Sequence, residues 1–88
     1  MPEISRFYGI VIYMYLRDHN PPHFHAKYND FEAVISIENF AVLNGKLPSK
    51  ALALVVEWSS IHQEELLDNW SGLSHSNKIS FIKIEPLN

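Results

Sequence analysis

Apolar and polar residues alternate with a period of two along four stretches of the chain, the spacing of half-buried β-strands. In residues 9–17, Ile10, Ile12, Met14 and Leu16 point one way, and Val11, Tyr13, Tyr15 and Arg17 point the other. The first set is the better core face, because the second carries phenols and a guanidinium. Residues 4–8 form a short lead-in strand, and Gly9 marks a bend or bulge between the two. Asp18-His19-Asn20-Pro21-Pro22 then stops the strand, since proline donates nothing to a ladder and restricts the residue before it. His23 to Tyr28 alternates again, with Phe24, Ala26 and Tyr28 opposite His23, His25 and Lys27. Asn29-Asp30 reads as a two-residue hairpin turn. Phe31 to Glu38 follows, with Phe31, Ala33, Ile35 and Ile37 towards the core and Glu32, Val34, Ser36 and Glu38 opposite. Val42-Leu43-Asn44-Gly45 adds a short strand and turn, and Ile79 to Glu85 alternates as a final strand.

The period changes once. From Ala51 to about Trp70 the residues are good helix formers with neither glycine nor proline among them. At 100° per residue, Ala51, Leu54, Val55, Trp58, Ile61, His62, Leu66 and Trp70 share one broad face, and Ala53, Glu57, Ser60, Gln63, Glu64 and Asp68 lie opposite. Leu47-Pro48-Ser49 supplies a first-turn proline and a cap, and Gly72 a stop. The pattern therefore predicts an α+β domain: a twisted, mainly antiparallel sheet of four to five strands with one long helix packed on one face. At 88 residues the chain is a single domain with a modest core that a partner would help to stabilise.

Composition narrows the possible functions. The 47% apolar content is that of a globular protein, and the formal charge of −3 argues against a whole-surface nucleic-acid binder. Residues 1–30 are nevertheless balanced, with Arg6, Arg17 and Lys27 against Glu3, Asp18 and Asp30, so a local basic patch fits there. With no cysteine, disulfides, thiolate metal sites and cysteine nucleophiles are excluded. The N-terminus lacks the layout of a secretion signal, and the longest apolar run, Ala51 to Val56, is far too short to span a membrane. A cytoplasmic protein that does not enter the membrane is the expectation.

Three of the five histidines fall within Asp18-His19-Asn20-Pro21-Pro22-His23-Phe24-His25. His23 and His25, two apart on a strand, project from one face roughly 7 Å apart. Together with His19 they are candidate ligands for zinc or another divalent metal, with Asp18 as a further donor. The alternative is metal-free acid–base chemistry. Tyr13, Tyr15, Arg17, His23, His25 and Lys27 would share the non-core face of neighbouring strands, offering cations for a phosphate, phenols for stacking and imidazoles for proton transfer. Those are the parts of a metal-independent ribonuclease. An ordinary solvated sheet face remains the bland alternative to both. His62 lies on the helix's apolar face, where a histidine is commonly a core residue. It neighbours Glu65 at i and i+3, so a His62–Glu65 pair is a second candidate. A helix covering Ile12, Phe24 and Ile35 would point His62 away from His23 and His25.

Taken together, these segments resemble a family of small bacterial proteins, the domain-of-unknown-function family numbered 4160. The matching pieces are Pro2 to Ile10, Met14-Tyr15, Asp18 to Ala26, Gly45 to Pro48, Ala51-Leu52, Glu57-Trp58, His62, Glu64 to Leu66 and Asn69-Trp70, with a typical ending at Lys83 to Leu87. Asn39-Phe40 departs from the family pattern, where a glycine-containing turn is common. The resemblance implies the toxin component of a two-gene type II toxin–antitoxin module, held by a small antitoxin-like protein partner. If such a toxin is catalytic, RNA or nucleotide phosphodiesters are the expected substrates. His23 and His25 would then serve as acid, base or metal ligands, Asp18 would orient an imidazole, and Arg17 or Lys27 would bind phosphate. The alternative is a non-enzymatic module that binds a protein or a metal. Oligomeric state is not legible in the sequence.

Overall fold

The computed structural model describes residues 3–15, 19–75 and 82–87. Among them are five strands and two helices: β1 (Glu3–Phe7), β2 (Ile10–Tyr13), β3 (His23–Tyr28), β4 (Phe31–Ser36), β5 (Val42–Lys46), α1 (Ser49–Ile61) and α2 (Gln63–His75). The strands form one antiparallel sheet in sequence order, each joined to the next.

Two short turns set this register. Tyr8 and Gly9 connect β1 to β2 with φ of 50° and 80°, so that Phe7 pairs with Ile10. Asn29, at φ 52°, and Asp30 connect β3 to β4, pairing Tyr28 with Phe31. Positive φ at the first turn position matches the twist of the flanking strands and is tolerated by asparagine. Gly9 is thus part of a tight turn, and the bulge lies elsewhere, between Glu3 and Ser5. That bulge buries both Ile4 and Ser5 and leaves Glu3 and Arg6 within reach of each other, their side chains joined at 2.8 and 3.3 Å.

The core face holds Ile10, Ile12, Met14, Phe24, Ala26, Ala33, Ile35 and Ile37, as the alternation predicts. Phe31 is the exception. It sits at the hairpin corner and is exposed, where the pattern placed it inwards. β2 ends at Tyr13, earlier than expected, and Leu16, Arg17 and Asp18 lie outside the described residues. β4 ends at Ser36, leaving Glu38 in the following turn. In that turn Phe40 takes φ 62°, a conformation costly for a bulky side chain.

β5 is a full strand, and a bulge opposite Val34/Ile35 breaks its pairing with β4. Gly45 lies within it at φ 73°, and the Asn44 side chain accepts the Gly45 N–H at 2.8 Å.

The single long helix of the sequence reading is two helices. His62 leaves the helical path at φ −112° and ψ 23°, its N–H still bonded to the Trp58 carbonyl. The cause is a serine pair: the Ser59 and Ser60 hydroxyls donate to the Val56 and Glu57 carbonyls three residues back, an arrangement that competes with helix bonds and bends helices. Beyond the bend, the Gln63 side chain donates to the Ile37 and Glu38 carbonyls, anchoring α2 to the end of the sheet. The acidic Glu64 and Glu65 suit the positive end of the new helix. Ile61, the last residue of α1, is 62% exposed, although periodicity put it on the buried face: it lies off the Ala51, Val55, Trp58 and Ser59 stripe that α1 buries. Pro48 is the residue before α1 rather than its first residue, with no side-chain cap, and α2 runs through Gly72 to His75.

Ala51, Val55 and Trp58 of α1, with Leu66 and Trp70 of α2, complete the core. The expected final strand is not one over its described part. Among the described residues, 82–87 make a single backbone bond to the sheet, from the Ile84 N–H to the Ile4 carbonyl, and residues 79–81 lie outside them. Side chains hold this segment instead. The Asn69 amide bonds both the N–H and the carbonyl of Ile82, the Trp58 indole N–H donates to the Glu85 carbonyl at 2.8 Å, and Ile84 is buried. No helix among the described residues is long and apolar enough to cross a membrane.

Candidate functional site

The sheet register decides which polar side chains meet on the face away from α1. Tyr13 pairs with His25, and Val11 pairs with Lys27, which pairs in turn with Glu32. Tyr13 and His25 stack nearly parallel at 5.0 Å and 14°. Tyr15 meets both edge-on, at 5.6 and 4.8 Å. His23 meets His25 edge-on at 5.3 Å, and Trp70 of α2 packs against His23 at 5.1 Å. An unbroken chain of rings therefore runs from Tyr13 through His25 and His23 to Trp70, linking the outer face of the sheet to the second helix.

The two central histidines differ in environment. His23 is buried, and its Nδ1 lies 2.8 Å from the Pro21 carbonyl oxygen. A carbonyl only accepts, so Nδ1 carries the proton and Nε2 holds the lone pair of the neutral ring. The double proline thereby fixes the histidine's tautomer as well as the turn, and the Pro22 carbonyl accepts from the Ile37 N–H to tie that turn to the sheet. His25 is half-buried, Tyr15 and Lys27 are exposed, and His19 lies exposed in the turn. Asp18 and Arg17 lie outside the described residues. Among the described residues, no three His, Asp or Glu side chains converge to hold a metal ion.

Tyr13 is fully buried, where alternation alone placed it on a solvated face. Its phenol oxygen meets no hydrogen-bond partner among the described residues. Burial pushes its pKa well above that of an ordinary phenol, and the Glu32 carboxylate, close enough to act by charge but outside hydrogen-bonding geometry, adds to the effect. The folded chain thus holds this proton to higher pH than the unfolded chain, whose tyrosines ionise near pH ~10. Stability from this source is intact below about pH 10 and falls as pH rises beyond it. Tyr13→Phe is expected to stabilise the protein by about 1 kcal/mol, because it removes an unsatisfied buried hydroxyl. It should also flatten the alkaline loss. Urea melts of both proteins at neutral and alkaline pH check both effects, and a destabilised Phe variant would contradict this reading.

His62 belongs to a different region. Its Nδ1 donates to the Glu65 carboxylate at 2.6 Å, the pairing that the i, i+3 spacing predicts, and its ring packs on Trp58 at 5.5 Å. It lines a shallow groove with Ile61 and the C-terminal residues Glu85, Pro86 and Leu87. Trp58 in turn contacts Phe24 on the core face, so the His62–Glu65 pair is set on the opposite side of the sheet from His25.

Sequence reasoning counted Arg6 in a local basic patch but did not assign it to the site. Its register partner Val11 also pairs with Lys27, so the row across the sheet reads Arg6, Val11, Lys27, Glu32, Lys46. The tight Tyr8-Gly9 turn was the signal that would have placed Arg6 in one row with Lys27, with Val11 between them.

The model of a domain of unknown function (DUF4160) matches residues 9–71, well over half of the 88-residue chain. The chain belongs to the DUF4160 family. The matched region contains the whole ring chain, from Tyr13 to Trp70, together with the His62–Glu65 pair. No curated protein and no solved structure matches the chain.

Proposed function

We propose that this DUF4160 protein is a toxin-like component of a two-gene module, acting in the cytoplasm on RNA or nucleotide phosphodiesters at the outer sheet face and held inactive by a small protein partner. The observation that carries the chemistry is the ring chain, with two imidazoles in contact at its centre and a cation, Lys27, on the same strand. The exposed Tyr15 and half-buried His25 offer surfaces on which a base stacks, worth roughly 1–3 kcal/mol per base. In the reaction, one imidazole takes the proton from the ribose 2′-hydroxyl as its oxygen attacks phosphorus. The neighbouring imidazolium protonates the departing 5′-oxygen, and Lys27 balances charge on the phosphoryl oxygens. His23, with its tautomer set by Pro21, suits the base role through Nε2, and the more accessible His25 suits the acid role. The partner and the toxin role rest on the family resemblance.

Expression without a partner is expected to arrest bacterial growth, with cellular RNA fragments ending in 2′,3′-cyclic phosphates. The double variant His23→Ala plus His25→Ala should grow normally while remaining folded by circular dichroism. Arrest that survives this double change would rule out a site built on the two histidines. RNA binding without cleavage would instead make the chain a binding module. His62→Ala is the matched control, and its activity should remain.

A further inference from the structure

Beside the ring chain, an open hollow of about 320 Å³ lies between Glu3, Arg6, Gly9, Tyr13, Lys27 and Asn29. Tyr13 is common to both, stacked on His25 and lining the hollow. We propose that this hollow binds a phosphate group, and that Lys27, Arg6 and Asn29 are the groups that hold it.

Four observations carry the assignment. First, Lys27 pairs in register with Glu32, yet no ion pair joins them among the described residues, so that carboxylate does not occupy its ammonium. Second, Arg6 is held by Glu3 at 2.8 Å in an exposed pair. Such a pair is worth little in water, and a phosphate, with two or more oxygens for the guanidinium fork, competes for it. Third, Asn29 sits at the rim at φ 52°, in the turn joining β3 to β4. Its side-chain amide is a donor for a phosphate oxygen. Fourth, the buried Tyr13 hydroxyl has no partner among the described residues and is a further donor beside the same hollow. The lining carries two cations and one carboxylate, a net positive charge in a chain whose total is −3.

The inference rests on the phosphodiester reading in one respect. A phosphate held here would lie one stacked ring from His25, so the hollow would seat a phosphate neighbouring the one attacked. The site itself, as a phosphate site, stands apart from that reading. Free phosphate, a mononucleotide and an RNA backbone all present the same chemistry, and the experiment separates them.

The test is titration of the full chain with inorganic phosphate, and separately with a short unstructured RNA, followed by NMR of the backbone, the Arg6 Nε–H and the Asn29 side-chain amide. Saturable shifts are expected at Arg6, Gly9, Lys27 and Asn29 with phosphate alone. Lys27→Met, which keeps the aliphatic stem, should weaken phosphate binding about fivefold or more. Asn29→Gly, which suits the left-handed turn, should weaken it by a smaller factor. Glu3→Gln carries the sign that decides the matter. By releasing Arg6 it should tighten phosphate binding, whereas a merely structural Glu3–Arg6 pair predicts no gain. With RNA, Lys27→Met should reduce the slope of log affinity against log salt by about 1, uniformly across sequences. Absent phosphate shifts, or unchanged affinity in both Lys27→Met and Glu3→Gln, would overturn the proposal. Phosphate binding that responds to these variants, with no RNA binding at all, would uphold the hollow and defeat only the RNA reading.

Discussion

Gly45→Ala is expected to destabilise the protein by roughly 3 kcal/mol or more, a large share of what a small domain has to lose. Two penalties combine at this position. The backbone stands at φ 73°, where an L side chain is strained. A methyl group built there would also collide with the Glu32 carbonyl oxygen and lie 3.1 Å from the Ala33 Cα. Both contacts are backbone of β4, and β4 cannot retreat, because Glu32 and Ala33 are paired on its other side with Lys27 and Ala26. Gly9→Ala is the matched comparison. Its φ of 80° imposes the same conformational strain, but its added methyl meets only the Tyr28 ring, at an ordinary 3.5 Å. That change should cost about 1 kcal/mol. Urea denaturation of the two variants separates strain from collision, and equal losses at the two sites would show that the close approach of β4 contributes nothing.

Trp58→Ala is expected to cost about 4 kcal/mol, the scale of an aromatic side chain deleted from a core. The indole is fully buried, touches Phe7 at 5.4 Å and Phe24 at 6.0 Å, and carries His62 on its other side. It also does what no aliphatic residue could, donating its N–H to the Glu85 carbonyl. Trp58→Phe isolates that second role. Ring packing is mostly kept and one hydrogen bond is lost, so the melt should shift by only about 1–2 kcal/mol. Residues 82–87, however, should become far more sensitive to limited proteolysis, while Asn69 still holds Ile82. Mass spectrometry of the early cleavage products reads this directly. Unchanged C-terminal protection in the Phe variant would show that Asn69 and the Ile84 bond suffice without the tryptophan.

The sheet was legible because alternation and turn chemistry agreed. Ile10, Ile12, Met14, Phe24, Ala26, Ala33, Ile35 and Ile37 all face the core as the pattern requires, and Asn29-Asp30 turns the chain where two polar residues separate two strands. The helix break was not legible, for a physical reason. Neither Ser59 nor Ser60 is a strong breaker alone, and the bend depends on their back-bonding together with anchorage of Gln63 on the distant Ile37 carbonyl. The last strand was misread because Ile84 has the right spacing for burial while its neighbours' backbone groups bond to side chains of α1 and α2, which period-two patterning cannot register. At the site, the shared face of Tyr13, Tyr15, His23 and His25 followed from strand parity. The arrival of Trp70 beside His23 did not, since it depends on how α2 packs against the sheet, which periodicity does not register. Arg6 was counted only as part of a local basic patch, because its place in one row with Lys27 depends on the Tyr8-Gly9 turn, which composition does not register.

The two margins of the sheet are shut by unrelated means. Along β1 the chain's own C-terminal segment bonds Ile4. Along β5 the bulge, the left-handed Gly45 and the Asn44 side chain on the Gly45 N–H interrupt the row of groups that an incoming strand would need. Losing one closure would leave a single adhesive margin, and a particle with one such margin pairs and stops. Open-ended polymerisation needs two. The fold is thereby insulated, at the level of topology, against any one lesion turning it into a fibre.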